Sequence, residues 1–144
     1  MKKLLFLFTL LLLAVSAGAV EINGVYYNLV KKAQAEVTSN PNKYSGAVVI
    51  PATVDYDGVT YDVTSIGEEA FRGCGGMISV TIPNSVTFIG EDAFRDCSGL
   101  TSINIPNTIT SLEEYVFSYC SGLTSVNIPN SVKTIGEEAF EYCI

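Results

Sequence analysis

Residues 89–111 read IGEDAFRDCSGLTSINIPNTITS, and close copies of this stretch follow one another along the second half of the chain. The step between copies is 23 residues, and it does not slip. A fixed step of this length indicates a repeat protein, in which each copy is one unit of a stack. Four sets of residues keep the step: Ile66, Ile89, Leu112 and Ile135; Phe71, Phe94, Phe117 and Phe140; Cys74, Cys97, Cys120 and Cys143; and the Ile-Pro-Asn triplets at 82–84, 105–107 and 128–130.

Each unit contains a short strand with one buried and one exposed side. The alternation of polar and apolar residues places Ile103 and Ile105 on one face of this strand. It places Ser102 and Asn104 on the opposite face. Pro106 ends the strand, because proline fixes its own φ and has no amide donor.

A second extended piece at residues 109–112 and a connecting segment complete the unit. The segment 90–94 predicts one short helical turn, with Glu91 and Asp92 at its start, where free amides favour negative charge. Gly99 lies between this turn and the next strand, and we expect it to permit a reversal of the backbone.

Stacking is required because one unit cannot bury its apolar side alone. Stacked units cover one another, and their strands then lie about 4.8 Å apart. The predicted fold class is therefore a repeat solenoid, a leucine-rich-repeat stack of short parallel strands with short helical turns. We assign residues 66–144 to repeats of 23 residues, of which the last is incomplete.

The stretch before Ile66 contains a divergent first coil. Residues 48–54 match residues 80–86, and residues 63–66 match residues 86–89 after a nine-residue insertion. Asp57-Gly58, within this insertion, is a strong signal for a hairpin turn.

Further upstream, the sequence predicts more strands. Residues 24–29 and 35–37 have strand character, and Asn40-Pro41-Asn42 predicts a turn between strands. Atypical units of this kind cap the exposed end of a stack. We therefore assign residues 20–65 to a small β-rich N-terminal cap that includes the divergent coil.

Residues 1–19 have the features of a signal peptide. Lys2 and Lys3 precede an apolar run, and Ala17-Gly18-Ala19 provides a cleavage site. An uncleaved membrane anchor is the alternative, but no stop-transfer flank follows the run. We expect a protein that is secreted or displayed on the cell surface and that meets the membrane only through this segment before cleavage.

The repeat unit resembles the BspA-like bacterial leucine-rich-repeat family. Its pattern is Ile-Gly-Glu-x-Ala-Phe-x-x-Cys-x-Gly-Leu-Thr-Ser-Ile-x-Ile-Pro-Asn-x-Val, and the resemblance extends from Val48 to Cys143. The segment 24–27 is similar to the family's usual N-terminal segment. The resemblance implies a secreted or surface-displayed protein that adheres to host or neighbouring-cell components and has no catalytic residues.

The charge balance argues against a nucleic acid partner. The chain has 8 basic and 15 acidic residues, a net charge of −7, which becomes −9 without Lys2 and Lys3. Proteins that bind phosphate backbones present a basic stripe, and this sequence has none.

We expect the protein not to be an enzyme and to bind no cofactor. It contains no histidine and no tryptophan, and it has neither a Gly-x-Ser-x-Gly elbow nor a phosphate-binding loop. Its carboxylates could form a glycosidase pair, but a repeating row lacks the contrast of environments that would separate two pKa values.

The four cysteines could form disulfides or remain free thiols. Neighbouring coils would bring their Cα atoms within the roughly 4.4–6.8 Å that a disulfide requires, and exported proteins often contain disulfides. We favour buried free thiols, because all four hold the same column and their parallel Cβ vectors fit the bridge dihedral poorly. Without histidine or a Cys-x-x-Cys motif, no zinc site is predicted.

Seven acidic residues form a row that could bind calcium, which prefers oxygen ligands. We favour a solvated face, so that no metal site is predicted. The row comprises Glu68, Glu91, Glu114 and Glu137, flanked by Glu69, Asp92 and Glu138.

The predicted binding face consists of the exposed strand positions, and its expected partner is an extracellular protein or glycan. A row of small hydroxyl and amide side chains is typical of the binding face of a solenoid, although such residues also simply keep strands soluble. Tyr115, Tyr119 and Tyr142 are candidate aromatic anchors. The face comprises Ser79, Thr81, Ser102, Asn104, Ser125 and Asn127.

A structural role is the alternative function. The sequence stops at Ile144 before the strand that follows every earlier cysteine. Unpaired strand edges invite pairing, so this end of the stack could associate with another chain.

Overall fold

A computed structural model describes residues 18–144. The predicted signal peptide, residues 1–19, therefore lies outside the described residues except for its last two. Within the described residues, no helix is long and apolar enough to cross a membrane. These residues form twelve strands: β1 (Val20–Ile22), β2 (Val25–Val30), β3 (Gln34–Val37), β4 (Gly46–Val49), β5 (Thr53–Tyr56), β6 (Val59–Ile66), β7 (Met77–Thr81), β8 (Phe88–Ile89), β9 (Ser102–Asn104), β10 (Ser111–Leu112), β11 (Ser125–Asn127) and β12 (Thr134–Ile135).

The N-terminal strands form one sheet in the order β1-β2-β3-β6-β5. The pairs β1–β2 and β2–β3 are antiparallel, whereas β3 pairs with β6 in parallel. Because β6 also pairs in parallel with β8 of the next coil, the cap continues directly into the repeats.

Each coil contributes two parallel strands to the stack. On one side β4 pairs with β7 and β9 pairs with β11, and on the other β10 pairs with β12. Val48 lies opposite Val80, and Ile66 lies opposite Ile89. These registers place opposite each other the same residues that the sequence match aligns.

The insertion in the first coil forms an antiparallel hairpin between β5 and β6. Tyr56 pairs with Val59, and Asp57 and Gly58 between them have φ values of 48° and 76°. Two consecutive residues with positive φ are typical of a type I′ turn, so the predicted hairpin is confirmed.

The predicted short helical turns are wrong, since the described residues contain no helix. The segments 67–76, 90–99, 113–122 and 136–143, which we call the turn segments, are runs of turns. Local bonds go three residues back, as from the Arg72 amide to the Glu69 carbonyl at 3.0 Å, but intervening amides donate to the next coil, as from Phe71 to Ala93 at 2.8 Å. An α-helix would direct every amide into its own segment, so stacking and helix compete for the same donors.

The core is built around an aromatic stack that runs through the turn segments. Tyr44 lies against Phe71 with ring centroids 4.8 Å apart, and Phe71 and Phe94 stack at 5.0 Å with an interplanar angle of 5°. Phe117 and Phe140 continue the stack at 5.4 and 5.3 Å. Offset or stacked aromatic pairs stabilise beyond their buried area, so this column joins the coils along their whole length.

Gly99 has a different role from the one its sequence position indicates. Its φ is not in the left-handed region, so no reversal depends on it. A Cβ atom at this position would lie 2.4 Å from the carbonyl oxygen of Gly75 in the preceding coil, and at Gly122 it would lie 2.3 Å from that of Ser98. Glycine is required here because two backbones approach each other closely.

Candidate functional site

The six predicted binding residues lie side by side on one surface, which we call the strand face. Ser125 pairs with Ser102, and Asn127 pairs with Asn104, in the register of β11 and β9. All six side chains are exposed, whereas Val80 and Ile103 between them point into the core. The alternation read from the sequence therefore places these side chains as expected.

Five of the six residues line a shallow groove of about 420 Å³. Thr81 is exposed at the end of β7 but does not contribute to the wall. The groove crosses three strands, so one ligand could contact three coils at once. The five are Ser79, Ser102, Asn104, Ser125 and Asn127.

The strand face keeps its hydrogen-bonding capacity unused. Among the hydrogen bonds of residues 18–144, none involves a side chain of these six residues. The groove walls also contain no charged residue, although the chain has a net charge of −7. A neutral surface of hydroxyls and amides can donate and accept hydrogen bonds but has no preference for an ion.

Sequence reasoning missed the apolar residues at one end of this surface. Val49 pairs with Thr81, so it continues the outer row of the strand face, and it is 64% exposed. Ile78 is 56% exposed and lies at an irregularity in the pairing between β4 and β7. The match of residues 48–54 with 80–86 contained the signal for Val49, because it aligns Val49 with Thr81.

The turn segments carry a charged and aromatic cluster on their outer side. Asp92 accepts a hydrogen bond from Arg95 at 3.1 Å and lies 3.9 Å from Arg72. This ion pair, rather than a helix end, accounts for a carboxylate at that position. The guanidinium of Arg95 also lies over the rings of Tyr115 and Tyr119, 5.3 and 5.5 Å from their centroids.

The three candidate tyrosine anchors belong to this cluster and not to the strand face. Tyr119 and Tyr142 stack on each other at 4.7 Å, and both are exposed. Charges nearby raise the pKa of Tyr115, and Glu138 has the largest effect. The tyrosines therefore lie with Arg95 on the turn segments and do not line the groove around Asn104.

The carboxylate row is close enough for its members to influence one another. Desolvation raises the pKa of Glu91, and the charges of Glu114 and Asp92 add to the effect. Within residues 18–144, no group of three or more acidic, cysteine or histidine side chains has the geometry to hold a metal ion.

The four cysteines are free thiols, and Cys74, Cys97 and Cys120 are buried. Cys97 donates to the carbonyl of Phe71 at 3.1 Å, and Cys120 donates to that of Phe94 at 3.0 Å. Burial raises the pKa of the Cys74 thiol. Cys120 and Cys97 thus cap carbonyl groups of the preceding coil, whereas the Cys74 sulfur accepts a hydrogen bond from the Tyr44 amide at 3.4 Å.

A family model described as BspA type leucine rich repeat region, in 6 copies, matches residues 58–144. The chain belongs to this family. The match confirms the resemblance drawn from the repeat unit, and it covers the coils at residues 66–144 together with strand β6. Among curated proteins, none matches the chain.

Solved structures of bacterial leucine-rich-repeat proteins share the fold. A protein from Bacteroides ovatus is 39% identical over 86% of this chain and 33% of its own, with a TM-score of 0.81. One from T. pallidum is 27% identical over 88% of this chain and 68% of its own, with a TM-score of 0.70. One from Bacteroides capillosus is 26% identical over 83% of this chain and 98% of its own, with a TM-score of 0.63. The chain thus spans about a third of the Bacteroides ovatus protein.

Proposed function

We propose that this leucine-rich-repeat protein is an exported interaction module that binds an extracellular partner through its strand face. The observation that carries the proposal is the row of exposed hydroxyl and amide side chains, which make no hydrogen bond among residues 18–144. Repeat proteins use such extended surfaces for binding. A protein partner fits best, since a leucine-rich-repeat surface suggests protein interaction in general.

Site-specific crosslinking on intact cells tests this proposal. A photo-reactive amino acid replaces Asn104 on the strand face in one sample and Glu91, an exposed turn-segment residue, in a matched control. We expect crosslinked adducts from position 104 and not from position 91. Equal labelling at both positions would place the contact elsewhere.

The class of partner follows from treating the cells before crosslinking. Protease treatment should abolish the adduct at position 104 if the partner is a protein. Loss of the adduct after periodate oxidation, with protease having no effect, would instead identify a glycan and would overturn the protein assignment.

Binding without catalysis is part of the same proposal. The chain contains no histidine, and the groove of the strand face contains neither an acid nor a base. General acid–base catalysis needs such groups near the reacting atoms. A bound partner recovered from the complex should therefore have an unchanged mass.

Export is proposed from the leader sequence at residues 1–19. Expression of the full sequence in a bacterial host with a C-terminal tag should yield a product whose N-terminus is Val20. Mass spectrometry of a product that retains residues 1–19 would support the uncleaved anchor instead.

An assembly role is the second candidate. The last coil exposes Ile128 and Ile135, whereas their counterparts one coil earlier, Ile105 and Leu112, are buried. A further coil, from the same polypeptide or from another copy, would cover them. Sedimentation over a range of concentrations should then show dimers, and Ile135→Lys should abolish them; a monomer at every concentration would exclude this role for the protein tested.

A further inference from the structure

The outer edge of β4 is an open strand edge at the cap end of the strand face. Within the described residues β4 pairs with β7 alone, and no strand of the cap adds to its other side. The cap closes the opposite side of the first coil, where β3 pairs with β6. At this end of the stack, therefore, the cap adds a strand to the sheet of β6 but none to the sheet of β4.

The pairing of β4 shows which of its backbone groups are free. Gly46 and Ile50 donate their amides to carbonyls on the β7 side at 2.8 and 3.0 Å. Successive residues of a strand direct their backbone groups to opposite sides, so the N–H and C=O groups of Ala47 and Val49 point away from β7. Two residues of strand thus offer two donors and two acceptors to a neighbour.

A cleft of about 420 Å³ lies beside this edge. One wall is β4 itself, through Ala47, Val48 and Val49. The rest of the lining comes from the turn between β1 and β2, at residues 23–25, from Asn40 and from residues 43–45. The open edge of β4 therefore faces a cleft between the first coil and the cap.

The edge lacks the side-chain features that protect many strands from pairing. Natural edge strands often carry charged residues or proline, and others are kept short or bulged, as β4 is. None of the four residues of β4 is charged or a proline, and Val49 is 64% exposed beside the open groups.

We propose that this cleft is a second binding site, in which an extended peptide segment of a partner protein pairs with β4 as an added strand. Only a polypeptide backbone presents alternating donors and acceptors at the two-residue spacing of Ala47 and Val49. The segment would continue the sheet of the strand face by one strand, and its side chains would lie beside the row that ends at Val49. This site is distinct from the groove around Asn104.

The experiment uses a defined probe, the acetylated and amidated peptide GLTSINIPN, which copies residues 99–107. This segment contains β9, so it already forms a strand in a later coil of the stack. Protein expressed from the full sequence is titrated with the peptide and followed by backbone amide NMR. We expect saturable shifts at Ala47 and Val49, together with slower hydrogen exchange of both amides.

Methylation of the peptide backbone provides the control that leaves the protein unchanged. A peptide N-methylated on the amides that face β4 should bind at least about tenfold more weakly, since each lost hydrogen bond contributes about 1 kcal/mol. A peptide methylated on the opposite amides should bind as the parent does. Two methylated peptides with the same affinity would overturn the proposal.

Protein variants complete the test. Val49→Pro removes one outward donor and should weaken binding of the peptide about fivefold, whereas Val49→Thr keeps the donor and should bind normally. Shifts confined to Ser125–Asn127, at the other end of the strand face, would show that β4 is not the site. If the peptide binds at β4 but no crosslink forms at position 104, the proposal for β4 holds and the proposal for the strand face fails.

Discussion

The turn segments and the strand face are built from the same repeats but use their polar groups in opposite ways. In the turn segments alternate amides bond to the next coil, thiols bond to carbonyls, and the phenylalanine rings stack 5.0–5.4 Å apart. On the strand face the six polar side chains make no such bond within the described residues. Stability and binding capacity therefore reside on different sides of each coil, and the two can be changed separately.

The largest expected effect comes from removing one ring of the aromatic stack. Phe94 is fully buried between Phe71 and Phe117, so Phe94→Ala leaves a cavity that its neighbours cannot fill. We expect a loss of about 3–5 kcal/mol in the free energy of unfolding, measured in urea. Phe88, which is 47% exposed, provides the control, and Phe88→Ala should change the stability by less than about 1 kcal/mol.

A smaller loss is expected where two coils approach each other. Gly99→Ala would place a Cβ atom 2.4 Å from the Gly75 carbonyl oxygen, and the two coils would have to move apart. We expect a cost of about 1–3 kcal/mol, seen as a lower thermal midpoint. Gly76 holds the same column, but its nearest atom would be 3.3 Å from the new Cβ, in the side chain of Ser45. Equal losses from Gly76→Ala and Gly99→Ala would contradict this explanation.

Tyr44, the first ring of the aromatic stack, should make the protein less stable in alkali. Burial raises the pKa of Tyr44 to about 12 from its ordinary value of 10.0, so the unfolded chain releases this proton first. The stability contributed by the neutral ring is complete below pH 10 and is lost as the pH rises toward 12. In urea titrations from pH 8 to pH 12, Tyr44→Phe should give a shallower decline than the parent protein. An unchanged decline would exclude Tyr44 as its cause.

The smallest expected effect on stability is on the strand face. Asn104→Lys introduces a charge at an exposed position without a hydrogen bond, so the free energy of unfolding should change by less than about 0.5 kcal/mol. Binding to cells should nevertheless fall, because the groove would carry a charge. A destabilised variant would show that the two sides of the coil are not independent.

The repeat made much of the fold predictable. The step of 23 residues and the alternation around Ile103 are sufficient to predict the parallel strands, the buried columns and the outward side chains of the strand face. The hairpin at Asp57-Gly58 and the match of Val48 with Val80 also follow from local patterns. These features depend on residues close in sequence or on the repetition itself.

The errors arose where a neighbouring coil decides the local structure. The segment 90–94 has a composition that suits a helical turn, but its alternate amides are used by the next coil. Gly99 was interpreted through its own φ, whereas the constraint is a carbonyl in the coil before it. The open edge of β4 depends on where the cap lies in space, which no spacing in the sequence reveals.

The hydrogen bonds between turn segments also give the solenoid a dipole along its axis. The amides of Phe71, Phe94 and Phe117 all donate toward the C-terminal side, so their peptide dipoles align as they do in a helix. The negative pole of such a column lies at the cap, where the carbonyl of Arg72 has no preceding turn segment as donor. The ammonium group of Lys43, in the cap, donates a hydrogen bond to that carbonyl at 2.7 Å. The cap thus neutralises a pole as well as covering a core, and a cap without this cation would leave the first coil facing uncompensated charge.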